Sequence, residues 1–403
     1  MCDSSAQPTS CSHVGKIISS SSFLRTSTSR VDYALALPLA CHGIVIALSF
    51  LTITHLSKGF PQYSEPSAAR EARMIEGGHN SDARYSTTLG LAGHVCSLRT
   101  DSVRLMEITS AFFPFNQDRE ASAPRATITL LTGCRRGATI GCCTFPIFRG
   151  RNEFVHADYG REGSVWFDLK AREVAGVLSE GIIADEEYLR RAVLAVIAGV
   201  LAPSLGVIVL HAGCVVRDGR AILLAAHSGV GKSTLSLALA LRGWSLLSDE
   251  WTFVSAATNG LSVWGMQTSV KLMPDASLYF PLLTTLSPTI SLNGELSFEI
   301  DPWILFGVNR AIDATPLGIV FLKRAQDSGE HICHASQFGA EETMKTLLEE
   351  IEEQPEAIAE QNRIRQLLMQ QLCRLTALKV SFSGNPAVVA ADLDKILTEQ
   401  LCV

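Results

Sequence analysis

The eight residues Ala226-His227-Ser228-Gly229-Val230-Gly231-Lys232-Ser233 constrain this chain more than any other stretch. They lie between an apolar run of strand length, Ala221-Ile222-Leu223-Leu224-Ala225-Ala226, and a run of good helix formers from Thr234 to Leu241 that closes at Gly243. Strand, glycine-rich turn and helix in that order form the setting of a phosphate-binding loop. Gly229 and Gly231 let the backbone turn tightly, so that successive N–H groups and the helix N-terminus converge on one anion. Ser228, Gly229, Val230, Gly231, Lys232, Ser233 and Thr234 are therefore the expected nucleotide cradle, with Lys232 reaching the β- and γ-phosphates and the Ser233 hydroxyl on Mg²⁺. The pattern's first glycine is Ala226 here, at the end of the strand, where a methyl group fits.

An acidic element follows. Trp244-Ser245-Leu246-Leu247-Ser248 is a short apolar run that ends in Asp249 and Glu250. Read as a strand beside the loop strand, within one right-handed βαβ unit, it delivers both carboxylates to the carboxyl edge of the sheet, near Ser233. One carboxylate can hold Mg²⁺ while the other accepts a proton from an incoming hydroxyl, and the alternative is that both only coordinate metal.

From Leu210-His211-Ala212-Gly213 through Ser228–Ser233 to Arg242-Gly243 and Ser248-Asp249-Glu250, the chain resembles the HPr serine kinase/phosphorylase family, specifically its divergent relatives. The matches are His211, the Ser228-to-Ser233 core and Asp249; the departures are Ala226 for Gly, His227 for Asp, and Ser248-Asp249-Glu250 for Ala-Asp-Asp. The segments Trp264–Ala276 and Ser291–Glu295 also look like the divergent relatives, so the resemblance covers about 163 to 330. It implies an α/β P-loop kinase core related to phosphoenolpyruvate carboxykinases, Asp249 as base toward a substrate serine, Glu250 in the magnesium role, and His211 near the acceptor or a phosphate. A half-buried structural histidine is the equal alternative for His211. No Glu-x-Arg-Gly-Leu-Gly type signature follows Glu250, which argues against HPr itself as acceptor.

A chain of 403 residues has room for more than one core. Its formal net charge of −6 excludes nucleic acid as the main partner, because no basic stripe is present to neutralise phosphates. Eleven cysteines without paired spacing give no zinc motif and no disulfide framework, and His331-Ile332-Cys333-His334 reads as structural.

Residues 1–90 form the first region, a low-order extension. Its Ser- and Thr-rich start cannot build a core, 57–90 reads as a linker, and 33–56 is apolar and uncharged over a length that crosses a bilayer. That segment is either a single membrane anchor, with the nucleotide-binding part on the cytoplasmic side, or an unstructured extension. Short runs such as Ala126–Leu131, Ala138–Gly141 and Ser164–Leu169 mark 91–182 as a small β-rich module. The kinase core is expected at 183–335, opening with a helix N-capped by Asp185 and a strand from Gly206 to His211; Lys271 is its further phosphate or acceptor candidate. The remainder, 336–403, reads as mainly helical, with Leu367, Leu368, Leu372 and Leu375 as a core or oligomer face, and a homo-oligomer is the expected assembly. The expected activity is ATP- and Mg²⁺-dependent phosphoryl transfer to a hydroxyl, the resemblance supplying a serine of a small protein or peptide as acceptor. A small-molecule kinase and a non-catalytic nucleotide sensor are the alternatives.

Overall fold

The loop strand, Arg220–Ala225, is apolar without alternation because both of its faces are covered. In the computed structural model it lies between Val207–Arg217, antiparallel to it, and Asp313–Arg324, parallel to it. Ala221, Leu223 and Ala225 face one apolar cluster, Ile222 and Leu224 the other. The structure describes residues 83–115, 123–133, 145–151, 153–258, 260–266, 268–325, 331–350 and 359–401, all within the unit that runs from Ala40 to Val403. The apolar segment 33–56, the Ser-rich leader and the run at 138–141 lie outside them.

Five strands close into a ring. Val207–Arg217 pairs with Trp251–Ala257, which pairs with Gly260–Gly265, then Asp313–Arg324, then the loop strand, which returns to Val207–Arg217. Thr376–Ser383 and Ile332–Gln337 extend the sheet beyond Asp313–Arg324, while Ser245–Ser248 and Asn309–Arg310 extend it on the other flank of Val207–Arg217. The helices Lys232–Ala240 and Pro386–Leu401 cover one face through Leu235, Leu239, Val389 and Leu393. Ala340–Glu350 and Ala359–Leu372 cover the other through Leu347, Leu368 and Leu372. Within the expected leucine stripe, Leu368 and Leu372 are thus core residues and only Leu367 is exposed, at 51%.

The amino-terminal sheet has seven strands in the order Tyr85–Leu91, His94–Thr100, Ala126–Thr132, Glu173–Leu178, Gly163–Asp168, Phe154–Asp158, Ile147–Arg151. It begins inside the stretch read as a linker, since Tyr-Ser-Thr-Thr-Leu-Gly-Leu buries only Leu89 and Leu91 and so carries little strand signal. It also contains a helix, Val103–Phe112, that crosses between parallel strands; Ser102 Oγ caps it by accepting from the Leu105 N–H at 3.3 Å. This sheet shares one core with the helical run Glu186–Leu205 and with Trp251 and Phe253 of the ring. That run is long and apolar enough to cross a membrane, but its apolar window is 89% buried in protein, which makes it a core helix. Molecules of this build are mixed α/β with several sheets.

Candidate nucleotide site

Gly229 and Gly231 take positive φ, 79° and 112°, and the helix starts at Lys232 with no side chain capping its first turn. The strand therefore reverses, and the helix that follows presents an N-terminus with no side-chain cap, an arrangement that suits an anion. His227, Ser228 and Gly229 form the exposed tip, and Val230, Gly231, Ser233 and Thr234 are half-buried. Ala226 is buried in the cluster under the helix, so its methyl packs where the motif normally has glycine. Lys232 is buried to 7% exposure, and its Nζ donates to the Ala226 carbonyl at 2.5 Å, which folds the ammonium back across the loop.

Ser245–Ser248 is a strand, and Asp249 and Glu250 do leave its carboxyl end. It is not the neighbour of the loop strand. Val207–Arg217 lies between them, antiparallel to both, so the expected adjacent βαβ pair is corrected to a pair separated by one strand. The physical reason is the tight turn at Asp218-Gly219, both at positive φ, which makes Val207–Arg217 and the loop strand a hairpin and occupies that edge. The acid still reaches the loop because the intervening strand carries Gly213. A Cβ there would lie 2.8 Å from Ser236 Oγ on the loop helix and 3.2 Å from the Asp249 carbonyl oxygen. The acid turn is then tied down: Ser248 Oγ and Thr252 Oγ1 are 2.6 Å apart, and Thr252 Oγ1 donates to the Ala212 carbonyl at 2.8 Å.

Asp249 is 7% exposed, and its Oδ1 is buried with no hydrogen-bond partner among the described residues. Burial pushes the carboxyl up to about 7; a hydrogen bond from Ser233 opposes this, and the nearby Glu250 carboxylate adds to it. The Lys271 backbone N–H approaches Asp249 Oδ2 at 3.4 Å. The Lys271 side chain points elsewhere, to Asn293 Oδ1 at 2.7 Å and Glu295 Oε2 at 2.6 Å, so its ammonium fixes the strand Val270–Leu272 rather than reaching toward the loop. Across from it in register is Glu299, which ion-pairs with Arg191 of the buried helix. Sequence reading quoted Gly213 and Ser248 within the resemblance but gave no role to them or to Thr252. Glycine inside an apolar strand is the one signal that could have flagged the close approach.

His211 is half-buried and in register with Trp251, one residue before the Ala212–Ala225 pair that brings its strand level with the start of the loop. The strand does not end there but runs on to Arg217. Glu250 is half-buried beside Asp249. No cluster of three or more His, Cys, Asp or Glu residues capable of holding a metal is found among the described residues. The donors present, the Ser233 hydroxyl with Asp249 and Glu250, suit Mg²⁺, which keeps several waters and takes one or two carboxylates plus substrate phosphates. The unsatisfied Oδ1 is the atom such a group, or a substrate hydroxyl, would satisfy.

Neither a family model nor a curated protein matches this chain. Among solved structures, the HPr(Ser) kinase/phosphatase from Coxiella burnetii aligns over 47% of this chain and 91% of its own at 14% identity and a TM-score of 0.26. A likeness of that size is weak and assigns no activity.

Proposed function

We propose that residues 226–250 bind ATP with Mg²⁺ and transfer its γ-phosphoryl group to a hydroxyl, most simply a serine of a small protein or peptide, as the sequence resemblance implies. The observation that carries this is the buried Asp249 carboxylate with a free Oδ1, hydrogen-bonded to Ser233 at the first turn of an uncapped helix behind two positive-φ glycines. A structural carboxylate would be expected to have both oxygens satisfied or to face water.

Bound Mg²⁺ would neutralise phosphate charge; Ser233 and Glu250 are the residues to hold it. The chain's own work is positioning. Amides of Gly229 to Thr234 fix the phosphate tail, and Lys232 moves from the Ala226 carbonyl to a phosphate oxygen when that anion arrives. Asp249 orients the acceptor hydroxyl and takes its proton on Oδ1, a role for which a carboxyl near neutrality is matched. His211, level with the loop's entry, lines the approach of the acceptor. ATP chemistry puts this part of the protein in the cytoplasm, with 33–56 as a single anchor, and a homo-oligomer remains the proposed assembly.

The test is phosphoproteome mass spectrometry of a lysate given ATP and Mg²⁺ together with the full chain or its Lys232→Ala variant. New phosphoserine on a small protein, present only with the unaltered chain, supports the reading. Calorimetry that detects no nucleotide uptake with Mg²⁺ overturns it.

A further inference from the structure

A buried arginine ties the amino-terminal half of the molecule to the acid turn. Arg191 lies on the helical run Glu186–Leu205 and is 7% exposed. A guanidinium keeps its charge inside a protein, so burying one is costly unless acids meet it. Two do. Arg191 Nη1 ion-pairs with Glu299 Oε1, whose side chain is 13% exposed, and its Nε lies 3.3 Å from Glu187 Oε1 on the same helix. The Glu299 contact is one of charge rather than of a directed hydrogen bond, since Oε1 has no hydrogen-bond partner among the described residues.

The helix end of this link is anchored. Leu189–Leu194 is a turn of π-helix, a widened geometry that occurs mostly as single turns inside helices, frequently at functional sites. Within it the Ala192 carbonyl accepts from the buried Tyr159 hydroxyl at 2.7 Å, and Tyr159 directly follows the strand Phe154–Asp158 of the amino-terminal sheet. Arg191 therefore projects from a point that the amino-terminal sheet holds.

The other end reaches the acid. Glu299 stands in register with Lys271 in the antiparallel pair of Leu296–Ile300 and Val270–Leu272, and the Lys271 N–H approaches Asp249 Oδ2 at 3.4 Å. Ser269, two residues earlier, donates from Oγ to Glu187 Oε1 at 3.1 Å, the same oxygen that meets Arg191. Val270–Leu272 has only three residues, so ties at Ser269 and through Glu299 fix much of its position over the acid turn.

We propose that Arg191 is a positioning residue for Asp249: its pairs with Glu299 and Glu187 hold the Lys271 amide where it fixes the Asp249 carboxyl, leaving Oδ1 toward the acceptor. This rests on the reading of Asp249 as the proton acceptor. No residue of the cradle 228–234 belongs to the link, so nucleotide binding is spared when it breaks.

Amide hydrogen exchange, followed by NMR on the full chain, tests the link without any need for activity. Arg191→Met, or Glu299→Gln if the first does not fold, should speed exchange at Lys271 at least about tenfold while Leu235 to Leu239 of the loop helix exchange as before. Arg191→Lys, which keeps the charge but not the two-ended fork, should restore part of the protection. Phosphoserine formation in a lysate with Mg²⁺ and ATP should slow at least about tenfold in Arg191→Met, with nucleotide affinity within about threefold by calorimetry. Unchanged exchange at Lys271, equal losses at Lys271 and along the loop helix, or unchanged transfer alongside faster exchange overturns the proposal. An unaltered chain that forms no phosphoserine fails the reading of Asp249 instead, and exchange at Lys271 still upholds or overturns the link.

Discussion

At the scale of single residues, Asp249 is the described carboxyl group held furthest from its ordinary state. Its carboxyl is held up to about 7 against 3.8 in a solvated chain, mainly by burial. Between those values the folded protein binds a proton that the unfolded chain has lost, so this group's contribution to stability is full below about pH 4 and is lost as pH rises through 7. Asp249→Asn mimics the protonated form. Thermal melts should show it more stable than the unaltered chain by about 2–4 kcal/mol at pH 8, with the difference vanishing below pH 4. The same substitution should leave nucleotide affinity within about threefold in calorimetry while transfer falls at least a hundredfold, because binding rests on the loop and proton acceptance on Oδ1. In the unaltered protein the rate should climb with pH along a limb centred near 7 as Asp249 ionises. A flat profile from pH 5 to 9 would remove it as the base.

Elements bring these residues together through what they leave out. Gly213 lies on the strand between the loop strand and the strand that ends in the acid turn, and the space its side chain would fill is taken by Ser236 and the Asp249 backbone. Gly213→Ala should cost about 1–3 kcal/mol in denaturant melts, the usual range for overpacking, and should weaken both nucleotide binding and transfer, since the loop helix at Ser236 and the Asp249 backbone must both give way. Gly231→Ala should act on the loop alone. At φ 112° an alanine is strained, so the first helical turn shifts and nucleotide affinity should fall by at least about tenfold while the Asp249 turn stays in place. The loop and its helix were legible from sequence, because a glycine-rich turn between an apolar strand and helix formers permits few alternatives. Asp249 and Glu250 were legible as the end of a short strand. The neighbour of that strand was not, because a strand's partner is set by pairing between residues far apart in the chain, and Asp218-Gly219 gives only a turn without saying what it displaces.

Over the whole molecule, the amino-terminal sheet and the ring of strands are not separable bodies. Val207, Trp251 and Phe253 of the ring belong to the same apolar cluster as Leu89, Leu98 and Phe167 of the amino-terminal sheet, with the buried helix between them. Scanning calorimetry on the full chain should therefore give one cooperative transition for these two sheets, and a chain lacking residues 83–178 should aggregate through the exposed Trp251 and Phe253. Two resolved transitions would show that the halves fold independently. Local order along the chain determined the loop, its helix, the acid pair and the mixed α/β character, since each needs only the spacing of glycine, apolar and charged residues over a dozen positions. Contacts between residues far apart in the chain decided the rest. Gly213 admits the acid to the loop, Thr252 ties the end of the acid turn to Ala212, and the first hairpin closes on Trp264. Such contacts depend on which surfaces meet once the strands have paired, and a one-dimensional pattern of residues carries that information only where a close approach forces a glycine.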